Sequence, residues 1–212
     1  MEPIWRTFKV RTTAKEKRMT DVQNLTELCE VLVRNDVSGF DQFALDELYA
    51  ELEEADSEES TFDTEEFTGR FEKTRVALIA MEGANQCVSE AAQPFVHLYS
   101  LWSLVALENL DSERAALFAP RYREFMDRVE AYDLGSEPAA EIQTEYAENK
   151  SDPAELSLIA AAPQEEAAGI LSDAQRLSRL VRRYKLGSVG ASTEPPQRRA
   201  RLVALQGLLH HD

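Results

Sequence analysis

Arginines near the carboxyl end of the chain offer the most informative chemistry in this sequence. Arg176, Arg179 and Arg183 recur at spacings of three and four residues, so a helix would place them on one face. Arg198 and Arg201 lie within one turn of each other, just after a segment rich in glycine and proline. Guanidinium groups bind carboxylates and phosphates through paired N–H donors. These five arginines are therefore candidate contact residues for a protein partner or for DNA.

The surroundings of these arginines leave alternatives open. In the last predicted helix, Leu202, Leu205 and Leu208 form an apolar stripe, and projecting that stripe backwards places Arg198 on it. We expect Arg198 either to extend along the helix entry towards solvent or to meet a carboxylate or phosphate. Arg199 projects elsewhere and is expected to be solvated. A solvated basic face is the alternative for the arginines at 176, 179 and 183.

The other residue types that support catalysis do not form a recognisable site. The sequence lacks the GxxxxGK[ST], GxGxxG, HExxH and GxSxG motifs. His97 has no Cys, Asp or second His near it, so we interpret it as a core histidine with a hydrogen-bond partner. Cys29 and Cys87 belong to no CxxC pair, and Cys29 is expected to be a small core side chain because it falls among leucines. We therefore expect no catalytic residues, no cofactor and no metal, and not an enzyme.

Charge is distributed unevenly along the chain, whose formal net charge is −16. Residues 1–18 and 176–212 are basic, whereas residues 19–175 hold nine basic and 35 acidic residues. Residues 46–66 contain eleven acidic residues and no basic one, which is typical of a solvated helix end and loop. A decoy for DNA phosphate is the alternative interpretation of this run.

Helical periodicity dominates the elements that must position these residues. From residue 20 onward apolar residues recur at spacings of three and four, which predicts an all-α multi-helix bundle. The first residues are β-branched and aromatic without helical spacing, so residues 1–18 are expected to be a basic, extended lead. Residues 19–212 are expected to form a single helical domain, with a loop at 187–195. The predicted helices are 20–33, 41–54, 63–90, 93–109, 111–132, 137–149, 153–162, 163–186 and the last helix after the loop.

No segment predicts a membrane association. The longest uncharged run, at 91–107, is interrupted by polar residues, and a membrane span needs about 20 mostly apolar residues. We therefore expect this run to be a buried core helix. The first residues lack the apolar stretch of a secretory signal, so a cytoplasmic location is expected.

Several stretches together resemble the helical second half of GmrSD-type restriction proteins. They are "KRMTDVQNLTEL" at 17–28, "YSLWSLVALENL" at 99–110, "APRYREFMDRVEAY" at 119–132 and "GASTEPPQRRARLVAL" at 190–205. In that family the first half is a ParB/sulfiredoxin-like nuclease or nucleotidase domain. Its signature Asp-Gly-Gln-Gln-Arg is absent here, so no catalytic residue carries over to this chain.

The resemblance implies a non-catalytic helical scaffold or specificity domain of an anti-phage or modified-DNA restriction system. Such a domain would work with a separately encoded ParB-like nuclease, and it could contact DNA through the basic carboxyl-terminal region. The alternative function is an acidic DNA mimic or anti-restriction protein that binds a nucleic-acid-binding partner. The acidic residues at 19–175 motivate that alternative.

Overall fold

The described part of the chain is a bundle of helices. The computed structural model describes residues 4–39, 46, 50, 62–134, 172–190 and 192–210. These residues form helices and contain no strand, which confirms the all-α prediction. The helices, in chain order, are α1 Ile4–Thr7, α2 Thr13–Glu16, α3 Thr20–Arg34, α4 Thr64–Asn85, α5 Cys87–Ala91, α6 Phe95–Leu107, α7 Ser112–Ala131, α8 Asp173–Gly187 and α9 Pro195–Leu209. The predicted helices at 137–149 and 153–162, and nearly all of that at 41–54, lie outside the described residues.

Helix α6 is the centre of the bundle. All residues of 98–106 are buried, including Ser100 and Ser103, whose hydroxyls donate to the carbonyls of Val96 and Tyr99. The helix packs against α3, α4 and α9, while α4 also packs against α7, and α8 against α9. The prediction of a buried core helix in this region is confirmed. Over the described ranges, every helix is too short or too polar to cross a membrane.

Residues with left-handed backbone end several helices. Asn35 at the end of α3 has φ 52°, and Asn109 just after α6 has φ 51°, a conformation that asparagine tolerates better than most residues. Gln86 has φ 59° and breaks the single helix predicted over 63–90. The chain therefore turns there from α4 into the short α5, and Ser89 of α5 donates to the carboxylate of Glu82 in α4.

The amino-terminal segment differs from the expected extended lead. Residues 4–16 contain the two short helices α1 and α2, and Trp5 is 4% exposed. The Trp5 ring lies 6.0 Å from Trp102 of α6 and 5.9 Å from Phe71 of α4, measured between ring centroids. The expectation of an extended segment was wrong because its aromatic residues are buried in the common core, where short helical turns satisfy the backbone.

Helices α8 and α9 pack unusually closely at one point. A Cβ atom built on Gly187 would lie 2.8 Å from the carbonyl oxygen of Gln197. Only a residue without a side chain leaves room for the α9 backbone there. The loop predicted at 187–195 is found between the end of α8 and the start of α9, although residue 191 is not described.

Replacement of Gly187 by alanine is expected to destabilise the bundle by about 1–3 kcal/mol, because the new methyl group must push backbone away. Gly83 of α4 provides the matched control, since a Cβ atom there meets nothing within 4 Å. Gly83→Ala is expected to raise the free energy of unfolding by about 0.5–1 kcal/mol, because alanine is the better helix former. Urea unfolding of both variants measures the two effects. Equal effects of the same sign would contradict the close α8–α9 contact.

Candidate functional site

The two arginines of α9 predicted as contact residues lie in the core. Arg198 is 2% exposed and Arg201 is 0% exposed. The prediction that Arg198 and Arg201 form a surface for a partner or for DNA was therefore wrong for this fold. Both side chains point to the apolar side of α9, together with Leu202, Leu205 and Leu208. The projection of Arg198 onto the leucine stripe is confirmed, and its outcome is an internal contact.

Arg198 binds a carboxylate inside the bundle. Its guanidinium donates to the carboxylate of Glu27 in α3, which is itself 3% exposed. The central carbon of the guanidinium lies 3.9 Å from the ring centroid of Tyr99 in α6, a cation–π geometry. Arg198 thus joins α9 to α3 and α6. Of the alternatives that the sequence left open, the meeting with a carboxylate is the one that occurs.

Arg201 lies one turn further along α9 and contacts two other helices. Its Nε donates to the hydroxyl of Ser100 in α6 at 2.7 Å, and a terminal nitrogen donates to the carbonyl of Gly187. Gly187 is the last residue of α8, where carbonyl groups lack partners within the helix. The cation therefore satisfies the negative end of α8 as well as its own hydrogen-bonding needs.

The arginines of α8 lie at the surface, as predicted. Arg179 is exposed, and Arg176 and Arg183 are half-buried on the same helix face. Val181 and Tyr184 on the other face are buried in the core. Within the described ranges, no hydrogen bond or ion pair joins Arg176 or Arg183 to another residue. We call Arg176, Arg179 and Arg183 the α8 arginine stripe.

His97 of α6 forms a polar pair with Tyr184 of α8. The Nδ1 atom lies 3.1 Å from the Tyr184 hydroxyl, and the two rings are stacked with centroids 5.5 Å apart. Burial, together with the smaller effects of the Arg201 and Lys185 charges, lowers the pKa of His97 to about 4. Burial also raises the pKa of Tyr184, so its hydroxyl keeps its proton. His97 has the expected hydrogen-bond partner, but it is half-buried and lines a cleft, so it is not a residue of the buried core.

The hydrogen bond between Nδ1 of His97 and the Tyr184 hydroxyl can run in either direction, and that direction sets which ring nitrogen of His97 carries the proton. Nε2 of His97 makes no hydrogen bond to a described residue.

A cleft of about 380 Å³ opens beside His97. It is bounded by the ends of α5, α7 and α8 and by the start of α6. Its charged lining residues are Glu90, Arg123, Asp127, Glu130 and Lys185. Arg123 donates to Glu90 at 2.6 Å and to Asp127 at 3.3 Å, so one cation is shared between two carboxylates. The rim of the cleft thus holds three carboxylates and two cations, with His97 beside them.

Lys185 lies at the edge of this cleft and contacts the last turn of α7. Its ammonium donates to the carbonyl of Val129 at 2.9 Å and lies 3.5 Å from the carbonyl of Glu130, in the last turn of α7. An ammonium group has three N–H donors, so one remains after these two contacts. The hydroxyl of Ser188 donates to the Tyr184 carbonyl at 2.8 Å and leaves its lone pairs as acceptors.

Sequence reasoning did not identify this cleft. The arginine stripe was recognisable because its residues belong to one helix and share a regular spacing. The cleft instead collects residues from four helices, separated by up to about a hundred positions, and no local spacing relates them. The only local signal was Lys185, a basic residue in the last turn of its helix, and such residues normally interact with their own helix end.

Metal-binding groups and comparisons with known proteins give no further information about the function of this site. Among the described residues, no three His, Cys, Asp or Glu side chains form a group that could hold a metal ion. Comparison of the chain with protein-family models, curated proteins and solved structures gave no match. The resemblance to GmrSD-type proteins therefore stays a prediction.

Loss of either partner of the Arg198–Glu27 pair is expected to destabilise the fold strongly. Arg198→Met or Glu27→Gln should each cost about 3–5 kcal/mol, because the remaining group is left buried without its partner. The double variant Glu27→Leu/Arg198→Met should recover most of that loss, because no unpaired charge remains. A double-mutant cycle by urea unfolding measures the coupling.

The neighbouring Arg199 is the control for this cycle. It donates to Asp36 at 2.7 Å, but its side chain is 33% exposed and that of Asp36 is 54% exposed. Arg199→Met is expected to cost at most about 1 kcal/mol. An Arg198→Met variant no less stable than Arg199→Met would show that the buried pair does not hold α9 in place.

The depressed pKa of His97 predicts acid sensitivity. Its pKa is 6.5 in the unfolded chain and about 4 in the fold, so below pH 6.5 the unfolded state binds more protons. The stabilisation that comes from keeping His97 neutral is complete above pH 6.5. As the pH falls from 6.5 towards 4, the free energy of unfolding decreases by up to about 1.4 kcal/mol per pH unit on account of this group. Denaturant unfolding across this range should show a shallower slope for His97→Gln than for the wild type. Parallel curves for wild type and His97→Gln would contradict the assignment.

Proposed function

We propose that this chain is a non-catalytic helical scaffold that binds an acidic protein partner through the α8 arginine stripe. The proposed partner is the ParB-like nuclease of a GmrSD-like restriction system, as the resemblance in the sequence suggests. Specificity for that system rests on the resemblance alone, whereas the binding surface rests on the geometry of α8.

The observation that carries the proposal is the unbalanced charge on α8. The chain has a formal net charge of −16, and several other arginines pair with carboxylates, as in Arg75–Glu72 and Arg128–Glu124. No such pair is formed by Arg176 or Arg183 within the described residues. A partner carboxylate would satisfy the donors of these two arginines in a way that the bundle does not.

The chemistry of the stripe favours a protein partner over DNA. A protein that binds DNA gains affinity by neutralising many phosphates, and the rest of its surface should not repel them. Three arginines can neutralise only a few phosphates, and a chain of net charge −16 repels the rest of the DNA. Two or three paired carboxylates on a protein surface match the stripe better, because each guanidinium can bind one carboxylate in a planar, two-bond geometry.

The acidic DNA mimic is less well supported. A mimic needs carboxylates that repeat over an exposed face without compensating cations. In the described helix α7 the exposed carboxylates alternate with arginines, and Arg123 and Arg128 form ion pairs with them. Residues 46–66, where the acidic density is highest, lie almost entirely outside the described residues.

A binding experiment with the product of the reading frame immediately upstream tests the proposal. The double variant Arg176→Glu/Arg183→Glu is expected to weaken binding at least about 30-fold, because two favourable charge contacts become repulsive. Titration calorimetry measures the affinity, and circular dichroism checks that the helical fold is retained. A fluorescent DNA duplex, tested at two salt concentrations, is expected to bind weakly or not at all.

A matched variant separates this surface from a general effect of charge. Arg18 and Arg114 are exposed on other parts of the bundle, so Arg18→Glu/Arg114→Glu changes the net charge equally. This control should bind like the wild type. Wild-type affinity of the Arg176/Arg183 variant would exclude the stripe as the contact. An upstream product that is not ParB-like and does not bind would overturn the restriction-system assignment.

A further inference from the structure

We propose that this chain forms a homodimer in which the outer face of α4 packs against the same face of a second copy. We define the outer face of α4 by the residues Val76, Ile79, Ala80, Gly83 and Ala84. The proposal does not depend on the scaffold function, because the arginine stripe lies on α8, which packs mainly against α7 and α9. The dimer contact therefore does not use the stripe.

Helix α4 carries uncharged residues on two opposite sides. Its inner side is buried in the bundle at Thr74, Ala77, Leu78 and Met81. The residues of the outer face follow one another at spacings of three, one, three and one, which places them together on the other side of the helix. A helix that is apolar all round is typically covered on both sides. The bundle covers the inner side of α4, so the outer face is the side that a further helix would cover.

The outer face is accessible in the single chain. Val76 is 43% exposed and Ile79 is 37% exposed, although both side chains are apolar and β-branched. A Cβ atom built on Gly83 meets no atom within 4 Å, so no described residue packs against α4 at that point. Water therefore contacts this apolar surface, and its removal from water by a second apolar surface is favourable.

The order of residue sizes along the outer face matches an antiparallel copy of the same face. The larger side chains, Val76 and Ile79, lie towards the amino end of the face. The small residues Gly83 and Ala84 lie towards its carboxyl end. In an antiparallel pair of α4 helices that crosses near Ala80, the large residues of each copy lie against the small residues of the other, which permits close packing. A parallel pair would instead place large residues against large ones and small against small. The face therefore matches a second copy in the antiparallel orientation.

Charges at the edge of the outer face are complementary in the same arrangement. Arg75 and Glu82 are seven residues apart, about two helical turns, so they lie along the same edge of α4. In the antiparallel pair, Arg75 of one copy lies beside Glu82 of the other, and the two-fold symmetry forms this contact twice. Arg75 already donates to Glu72 within α4, and a guanidinium group has enough donors to bind a second carboxylate. The acidic residues Glu65 and Glu66 in the first turn of α4 lie at opposite ends of the pair and do not approach their counterparts.

Analytical ultracentrifugation of the full chain over a concentration series tests the dimer. A contact through one helix of each copy is small compared with stable interfaces, which bury about 1,200–2,000 Å². We therefore expect a reversible dimer with a dissociation constant in the micromolar range. Added salt should strengthen the dimer, because salt screens the repulsion between two copies of net charge −16. A chain that stays monomeric up to several hundred micromolar at low and high salt would overturn the proposal, and so would association that weakens as salt is added.

Two matched variants test whether α4 forms the contact. Ile79→Glu is expected to weaken dimerisation at least about tenfold, because the dimer would bury two carboxylates without partners. Leu117→Glu is the control, since this leucine is 72% exposed on α7 and lies outside the proposed contact, and it should associate like the wild type. Melting curves check that both variants keep the fold. Wild-type association of Ile79→Glu, or equal losses in the two variants, would exclude the outer face of α4 as the contact.

Cysteine crosslinking tests the antiparallel orientation. A mixture of Val76→Cys and Ala84→Cys should form disulfide-linked dimers several-fold faster than either variant alone, because residue 76 of one copy lies near residue 84 of the other. In the same pair the two copies of residue 76 lie roughly 12 Å apart along the helix axis, beyond the reach of a disulfide. The wild type gives the background from Cys29 and Cys87. Faster crosslinking of either variant with itself than in the mixture would overturn the antiparallel dimer.

Discussion

The packing of this bundle depends on the burial of two arginines in its last helix. A guanidinium group can leave water only if its charge and its N–H donors are satisfied inside the protein. Arg201 obtains a hydroxyl from α6 and the last carbonyl of α8. Arg198 obtains a carboxylate from α3 and an aromatic face from α6, while its Nη1 atom is buried without a hydrogen bond to a described residue. Helices α3, α6 and α8 are therefore positioned relative to α9 by polar contacts as well as by apolar packing. Apolar contacts alone tolerate small shifts between helices, whereas a buried charge does not.

Other cations of the bundle donate hydrogen bonds to the carbonyl groups at the ends of neighbouring helices. Arg70 donates to the Leu32 carbonyl at the end of α3, and Lys185 donates to that of Val129 at the end of α7. Arg121 donates to the carbonyl of Leu208 in the same way. Each contact satisfies a carbonyl that its own helix leaves unpaired and places positive charge at the negative helix end. An acidic chain thus uses its limited number of cations where they join one helix to the next.

The proposed arginine surface lies where this internal use of cations stops. The α8 arginines at 176 and 183 face outwards and form no hydrogen bond or ion pair with a described residue. Lys185 of the same helix differs, because it uses two of its three donors on carbonyl groups of α7. The surface that we propose for a partner is therefore the part of α8 whose cations the bundle does not use.

The sequence by itself determined the helical class, most helix ends and the central position of α6, because these depend on local spacing and capping. It also determined the outward face of α8 and placed Arg198 on the apolar stripe of α9. Only the tertiary structure decided that this stripe is buried against Glu27, that the aromatic amino-terminal residues join the core as short helices, and that His97 meets Lys185 at a cleft. Each of these depends on residues brought together from distant parts of the chain, for example over 171 positions between Glu27 and Arg198. Periodicity shows which face of a helix is apolar, but the partner across that face is set by how the helices pack.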